Sequence, residues 1–494
     1  MIGILAHIAV FIYGTALFLI LLYSLAQLNL LVSYLRHREQ KEHIPKFNPF
    51  DPTQVPFVTV QLPIYNEMYV VERLLDNIAQ LDYPKNKLEI QVLDDSTDET
   101  VALLQKKTAE LREQGLNINY LHRTNREGFK AGALKEGLKT ARGEFIAIFD
   151  ADFMPERDWL RQTIPYFRDP GIGVVQTRWG HLNRNYSTLT RIQAFALDAH
   201  FTIEQGGRNA NGHFINFNGT AGVWRKACIL DAGNWEGDTL TEDLDLSYRA
   251  QLKNWKFKYL EHVETPAELP IIISAARSQQ FRWNKGGAEN FRKSVHRLLK
   301  TPNLSFTTRL HGIVHLLNSS MFLFAFIAAV LSLPVMLAKN HIPELGIWFK
   351  GSNIFMVSTV ILFICYWFTY KNIQKGGLGG FLSFIPMFFT FFAIALGFSL
   401  HNSFAVIEGH LGIKSEFIRT PKFNIGEFSG KNVTNKYLNR KLSANSFLEC
   451  FLTLYFICGF TMAWWLKDYA FMMFMGMLAY GFGYVCLNSI TSGK

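Results

Sequence analysis

Cysteine is scarce in this chain: five in 494 residues, with no CxxC pair and no Cys/His spacing of the zinc-binding kind. That argues against a disulfide framework and against a structural zinc site. Cys365, Cys450, Cys458 and Cys486 lie in apolar stretches, and only Cys228 belongs to the soluble-looking part, which fits a reducing compartment. No nucleic-acid-binding motif accompanies the formal net charge of +10, so the basic excess reads as a membrane-facing surface. No basic n-region precedes the apolar start, and Met1–Ser33 outruns the ~7–15 residues of a signal-peptide core. It therefore reads as an uncleaved helix. Acidic pairs that would mark an ion pathway are missing from the apolar segments, and no appended regulatory domain is evident.

What the chain does have is apolar density at both ends, over 2–33 and 312–490, around an ordinary polar stretch at 35–300. Ile4–Leu31 is long enough to span, since about 20 apolar residues cross a bilayer. Arg36, His37, Arg38, Lys41 and Lys46 follow it, so by the positive-inside rule the N-terminus faces outward and the 35–300 domain is cytosolic. His311–Leu337 with Asn353–Tyr370, and Phe447–Leu466 with Tyr469–Ile490, predict two membrane hairpins. Leu378–Gly412 is equally apolar, but Lys371 and Lys375 precede it. Lys414, Arg419, Lys422, Lys431, Lys436, Arg440 and Lys441 follow it, which places both flanks inside. It must re-enter or lie along the interface. The predicted organisation is a transmembrane helix at 1–34, a cytosolic domain at 35–300, and an all-α membrane part at 301–494. That last part holds about four spanning helices, the segment 378–412 and a cytosolic loop 413–446. This describes a multi-pass protein of a plasma, inner or Golgi-type membrane.

Within the soluble part, Phe57–Leu62, Leu88–Leu93, Glu144–Phe149 and Gly173–Thr177 are short β-rich runs. Met68–Leu81 carries a helical apolar stripe, and Ala102–Gly115 and Glu127–Thr140 also read as helices. Such alternation predicts an α/β layer with a mostly parallel sheet, whose ligands bind beyond the carboxyl ends of its strands. Acidic clusters fall at those ends: Asp94-Asp95 after one strand, Asp150-Ala151-Asp152 after another. Carboxylates two residues apart past a strand suit a hard cation, Mn²⁺ or Mg²⁺, that neutralises a leaving diphosphate. A solvated acidic turn is the alternative for one such pair, but several in order argue for a site. The run from His122 to Ala133, with Lys130 and two glycines at a helix opening, suits phosphate or base contact.

Taken in order, Asp94-Asp95, Asp150-x-Asp152, Thr241-Glu242-Asp243 and Gln279-x-x-Arg282-Trp283 resemble the D, DxD, TED, QxxRW series of cellulose synthase-like family 2 glycosyltransferases. The resemblance covers about residues 55–300. Lys130–Leu134, Phe149–Phe153 and Phe217–Arg225 look most like the glucomannan synthase (cellulose synthase-like A) and C branches and their bacterial relatives. The resemblance implies a GT-A, Rossmann-like fold inserted between transmembrane helices, and a UDP-glucose or GDP-mannose donor. It also implies inversion at the anomeric carbon and a β-linked, β-1,4 polysaccharide threaded through the membrane part. By the same resemblance Pro63, Tyr65, Glu67, Asp94, Asp95 and Lys130 hold the nucleotide, Asp150 and Asp152 the metal, and Asp243 is the general base beside Thr241 and Glu242. Asp150 and Arg282 meet the donor diphosphate, while Gln279, Trp283, Asn218, Gly219 and Thr220 meet the acceptor sugar.

Chemistry agrees with those roles. A carboxylate beside Glu242 in a pocket can have a raised pKa and serve as base, although Thr-Glu-Asp is also how helices begin. Gln279, Arg282 and Trp283, spaced i, i+3 and i+4, share a helical face where Arg forks onto phosphate. The turns after them, with Arg292, Lys293, Arg297 and Lys300 between apolar residues, suit a membrane surface. Phe417-Ile418-Arg419-Thr420-Pro421-Lys422 resembles the FxVTxK gating loop, with Arg419 where the family has valine; Phe417, Thr420 and Lys422 match. A basic juxtamembrane loop is the other reading of that stretch. The acceptor is a growing polysaccharide or, alternatively, a ceramide or polyprenyl lipid receiving one sugar. His200, His213 and His262 lack metal spacing and read as structural.

Overall fold

Alternation between β-rich runs and amphipathic stripes does produce a layered α/β domain, set between apolar helices. The computed structural model describes residues 2–38, 55–346, 348–349, 353–425, 436–437 and 444–491. Lys41, Lys46, Lys431, Arg440 and Lys441 of the basic flanks, and with them much of the 413–446 loop, lie outside the described residues.

Helix α1 (Ile2–His37) leads into β1 (Val58–Ile64), α2 (Val71–Ile78), β2 (Leu88–Asp94), α3 (Thr100–Glu113), β3 (Ile118–His122), α4 (Phe129–Thr140) and β4 (Phe145–Ile148). Then come β5 (Ile172–His181), α5 (Thr188–Ala199), a π-helical turn (His200–Gln205), β6 (Gly222–Arg225), α6 (Glu242–Leu252) and β7 (Lys256–Ala267). The sheet runs β3-β2-β1-β4-β6-β5-β7. β1 pairs parallel with β2 and β4, β2 with β3, and β5 with β7, while β6 runs antiparallel to β4 and β5. Both faces are covered. Val58, Val60 and Leu62 are fully buried on one side, Thr59 and Gln61 on the other, as expected of a sheet packed by helices twice. On α2 Leu74, Leu75 and Ile78 of the predicted stripe are buried, with Val71 beside them, contributing roughly 1.5–3 kcal/mol each. Strand order reverses between β1 and β4, and the crevice beyond their carboxyl ends is where such sheets take ligands.

Beyond β7 run α7 (Ile273–Lys300), α8 (Phe306–Leu316), α9 (Ser320–His341), α10 (Met356–Ile373), α11 (Gly377–Leu411), α12 (Ala444–Trp465) and α13 (Tyr469–Thr491). Among the described residues six helices, α1 and α9 to α13, are long and apolar enough to cross a membrane. The predicted span His311–Leu337 is in fact two helices, because Leu317, Asn318 and Ser319 form a turn between α8 and α9.

α11 is one continuous helix, and its successive turns pack on helices of the α/β domain. Phe384 and Phe391 meet Phe195 of α5, Ile394 and Phe398 cluster with Ile192 and Ile273, and Asn402 donates to Gln280 at 2.8 Å. Near its end Gly409 lies against α7: a Cβ there would stand 2.6 Å from the Lys285 carbonyl.

Contrary to the expectation from cysteine spacing, Cys450 and Cys486 form a disulfide. The bond joins α12 to α13, two antiparallel neighbours of one hairpin, and only the fold brings residues 36 apart in sequence side by side. Cys228 and Cys365 are free and buried, and Cys458 is free and exposed.

α13 also packs backbone-to-backbone on α11. A Cβ at Gly481 would sit 1.9 Å from the Ala393 carbonyl oxygen, and one at Gly397 2.3 Å from that of Gly481. Gly481→Val should force the two helices apart and cost about 1–3 kcal/mol, read as a lowered thermal midpoint in detergent. An unchanged midpoint would mean that the close contact is not made.

Candidate active site

Every strand that feeds the crevice ends in a polar residue of a cavity of about 200 Å³. Pro63 closes β1 with Ile64, Tyr65 and Glu67 follow it, Asp95 follows β2, Asp150 and Asp152 follow β4, and Glu268 follows β7. Lys130 opens α4, Glu242 and Asp243 open α6, and Gln279, Arg282 and Trp283 share one face of α7. Thr241, Asn218, Gly219, Phe417, Thr420 and Lys422 complete the predicted residues lining it. Two predicted residues stand behind the wall. Asp94 is fully buried, its carboxylate taken by Tyr120 at 2.6 Å, His122 at 3.1 Å and the Ser96 amide at 2.9 Å. Thr220 is equally buried and accepts the Asp150 amide at 2.9 Å.

Asp243 and Glu242 sit on the first turn of α6. Thr241 does not cap that helix through its side chain; its hydroxyl accepts instead from Asn290 of α7 at 2.9 Å, which ties the two helices together. Burial, reinforced by the neighbouring Glu242 charge, pushes the Asp243 carboxyl up to about 7. Burial raises Glu242 as well, with Lys130 opposing it. Gly219 has φ +80°, and a Cβ on it would stand 3.0 Å from Asp243 Oδ2 and 3.5 Å from Lys130 Nζ. Glycine is therefore what lets the 218–220 loop close on Asp243.

Lys130 donates to Asp150 and, at 2.9 Å, to the Gly219 carbonyl. Burial opposes its charge, but Asp150 and Glu242 outweigh that and hold its pKa above the ordinary value. Asp152 is buried. Its Oδ2 accepts from Lys422 at 2.7 Å and from the Glu268 amide at 3.2 Å, while its Oδ1 has no hydrogen-bond partner. An orphaned carboxylate oxygen beside the half-exposed Asp150 is the donor set a divalent cation needs. Arg282 is half-buried, and desolvation lowers its pKa to about 10 against the pull of Asp150, Glu242 and Glu67, so it stays charged at neutral pH.

The 417–424 segment is seated in the pocket. Arg282 donates to Thr420 at 3.0 Å and lies 4.5 Å from the Phe417 ring, and Phe417 stacks on Phe129 at 5.7 Å. Arg419, where the resembling family has valine, pairs with Glu67 at 2.6 Å. Burial lifts Glu67 to about 7 against that partner. Glu268 accepts the Phe423 and Asn424 amides at 3.1 Å each. Arg126, from the predicted His122–Ala133 run, lies 3.3 Å from the centre of the Tyr65 ring, whereas the lining residues Trp179, His181 and Glu268 carry no motif signal. His200 pairs with Glu204 and His213 stacks on His311, in keeping with structural roles.

Outside this pocket Glu236, Asp238 and Asp245 converge, but Lys293 reaches all three, at 2.7, 2.7 and 3.0 Å, and Arg249 pairs with Asp245 at 2.7 Å. Two cations thus occupy the three carboxylates. Lys293 on the later turns of α7 thus faces the α/β domain.

Residues 56–286 match the family described as glycosyltransferase like family 2. Glucomannan 4-beta-mannosyltransferase 2 of Arabidopsis thaliana is 39% identical over 65% of this chain, which spans 63% of that protein's length. Glucomannan 4-beta-mannosyltransferase 1 of Oryza sativa subsp. japonica is 36% identical over 70% of each chain. In architecture, a Pyrobaculum calidifontis mannosyltransferase solved with GDP-Man and Mn²⁺ superposes with a TM-score of 0.50 at 22% identity, covering 73% of this chain and 100% of its own. The chain belongs to the family 2 glycosyltransferases, with a GT-A-like fold flanked by apolar helices. Within that family it resembles the glucomannan synthase and cellulose synthase-like branch.

Proposed function

We propose that this chain is an inverting, divalent-metal-dependent glycosyltransferase. It builds a β-linked, β-1,4 polysaccharide from GDP-mannose or UDP-glucose and passes it across the membrane as it grows. The observation that carries this reading is the pairing of a carboxyl group held near pKa 7, Asp243, with a cationic end made by Lys130 and Arg282 in the same cavity. Asp243 takes the proton of the acceptor hydroxyl as its oxygen attacks the anomeric carbon. The bond from that carbon to the diphosphate breaks on the opposite face. Arg282 and Lys130 then neutralise the departing diphosphate. Asp150 and Asp152 would hold Mn²⁺ or Mg²⁺, which when bound supplies Lewis-acid stabilisation of the leaving group. Pro63, Tyr65, Glu67 and Asp95 line the nucleotide end, with Asp94 fixing that wall from behind. Trp283 offers a face to the acceptor sugar, beside Gln279, Asn218 and Gly219, and Thr220 braces the loop.

In this reading residues 35–300 are cytosolic and α1 crosses with its N-terminus outward. α11 lies along the cytosolic face, consistent with its contacts on α5 and α7 at successive turns. The 417–424 segment then gates the donor cleft.

The donor is identified by nucleotide release from the purified protein in lipid nanodiscs. GDP-mannose or UDP-glucose should release its nucleotide with Mn²⁺ or Mg²⁺ present and fall to background with EDTA. Metal-independent turnover would refute the metal assignment, and turnover of neither sugar nucleotide would refute the donor class.

A further inference from the structure

Trp179 lies two residues beyond the end of the β-rich run visible in the sequence, on the part of β5 that pairs with β7. It lines the same cavity as Trp283, and the two ring centres are 6.4 Å apart. The two planes are inclined at 50°, so the indoles do not stack on each other but stand side by side as two facets of one wall. Trp283 is 37% exposed. Trp179 is half-buried, with Phe153 packed on it at 5.2 Å and Phe201 at 5.3 Å, which fixes its orientation. Its indole N–H is buried with no hydrogen-bond partner in the protein. A buried donor left unpaired is costly, and an oxygen brought within reach by a ligand would relieve that cost.

Resting on the reading of Trp283 as the platform for the terminal acceptor sugar, we propose that Trp179 is the binding surface for the next sugar of the chain. Its ring packs against the apolar C–H face of the second unit, and its N–H donates to a hydroxyl or ring oxygen of that unit. Two tilted indoles about one hexose apart suit an acceptor of at least two linked sugars, because a single sugar can cover only one facet. The ligand class is thus a β-linked oligosaccharide, and the selectivity is for chain over monomer. A polymerase benefits directly: once two units are in place, the product is held more tightly than the starting sugar, which favours further addition over release.

The test is acceptor kinetics in nanodiscs with saturating donor, comparing a monosaccharide with a β-linked di- and trisaccharide. Trp179→Ala should raise KM for the di- and trisaccharide by about tenfold or more, and for the monosaccharide by much less. Donor KM should stay within about twofold of wild type. Trp179→Phe keeps a ring but loses the N–H and should give an intermediate rise, again larger for the longer acceptors. An equal effect on all acceptors, or an effect on donor KM alone, would overturn the proposal. Should Trp179→Ala not fold, Trp179→Phe decides, since an unchanged disaccharide KM refutes the N–H contact. Absence of transfer by the wild-type protein with every acceptor would instead overturn the parent glycosyltransferase reading, and this one with it.

Discussion

Asp243→Asn is expected to cut sugar transfer by about 10²–10⁴-fold while leaving donor binding within about twofold of wild type. The substitution keeps the shape of the side chain and removes only its ability to take a proton. Asp243 sits on the first turn of α6. Because burial and Glu242 raise its carboxyl to about 7, the base is protonated below that pH and ionised above it. Wild-type transfer should therefore climb through pH 7 and level off on the alkaline side, and the Asn variant should lose that climb. Steady-state rates across pH 5.5–8.5 check both statements. A variant that keeps its rate, or one that loses donor binding in proportion to rate, would remove Asp243 from the role of base.

Arg282→Ala carries the second large effect. Removing the half-buried guanidinium takes away the cation proposed to meet the diphosphate and leaves Glu67, Glu242 and Asp150 less compensated. A loss of about 10²–10³-fold in kcat is expected, by analogy with deleting one donor from an anion-stabilising site. Arg282→Lys keeps the charge but not the planar fork that also reaches Thr420, so recovery should be partial. Rapid-mixing measurement of nucleotide release separates chemistry from binding. Full activity in the Lys variant would show that charge alone matters there, and full activity in the Ala variant would displace Arg282 from the site.

Much of the site was legible because its residues lie at strand ends and helix starts, where local pattern and motif coincide. Asp150 and Asp152 follow a run whose β character is plain, and Gln279, Arg282 and Trp283 occupy one helical face at i, i+3 and i+4. Asp94 misled because an acidic pair after a strand looks symmetric in sequence. The backbone turns one carboxylate inward to Tyr120 and His122 and the other outward to the cavity, where Arg123 holds it at 2.7 Å. Trp179 and His181 were invisible as pocket residues because β5 runs on to His181 only by pairing with β7, about 80 residues later in the chain. The same limit hid the Cys450–Cys486 bond and the ion pair of Arg277 with Glu449, which depend on helices meeting in space. Arg419 was visible as a departure, but its partner Glu67 was not, since the two are joined only when the loop folds back into the cleft.

The most direct test of the whole account is the product made by purified protein in lipid nanodiscs from radiolabelled GDP-mannose or UDP-glucose with Mn²⁺. The account predicts a long polymer that a β-mannanase or β-glucanase degrades, with β linkages by NMR, and none from Asp243→Asn. A single sugar on an extracted lipid would contradict polymer synthesis, and α-linked product would contradict inversion at the Asp243 site.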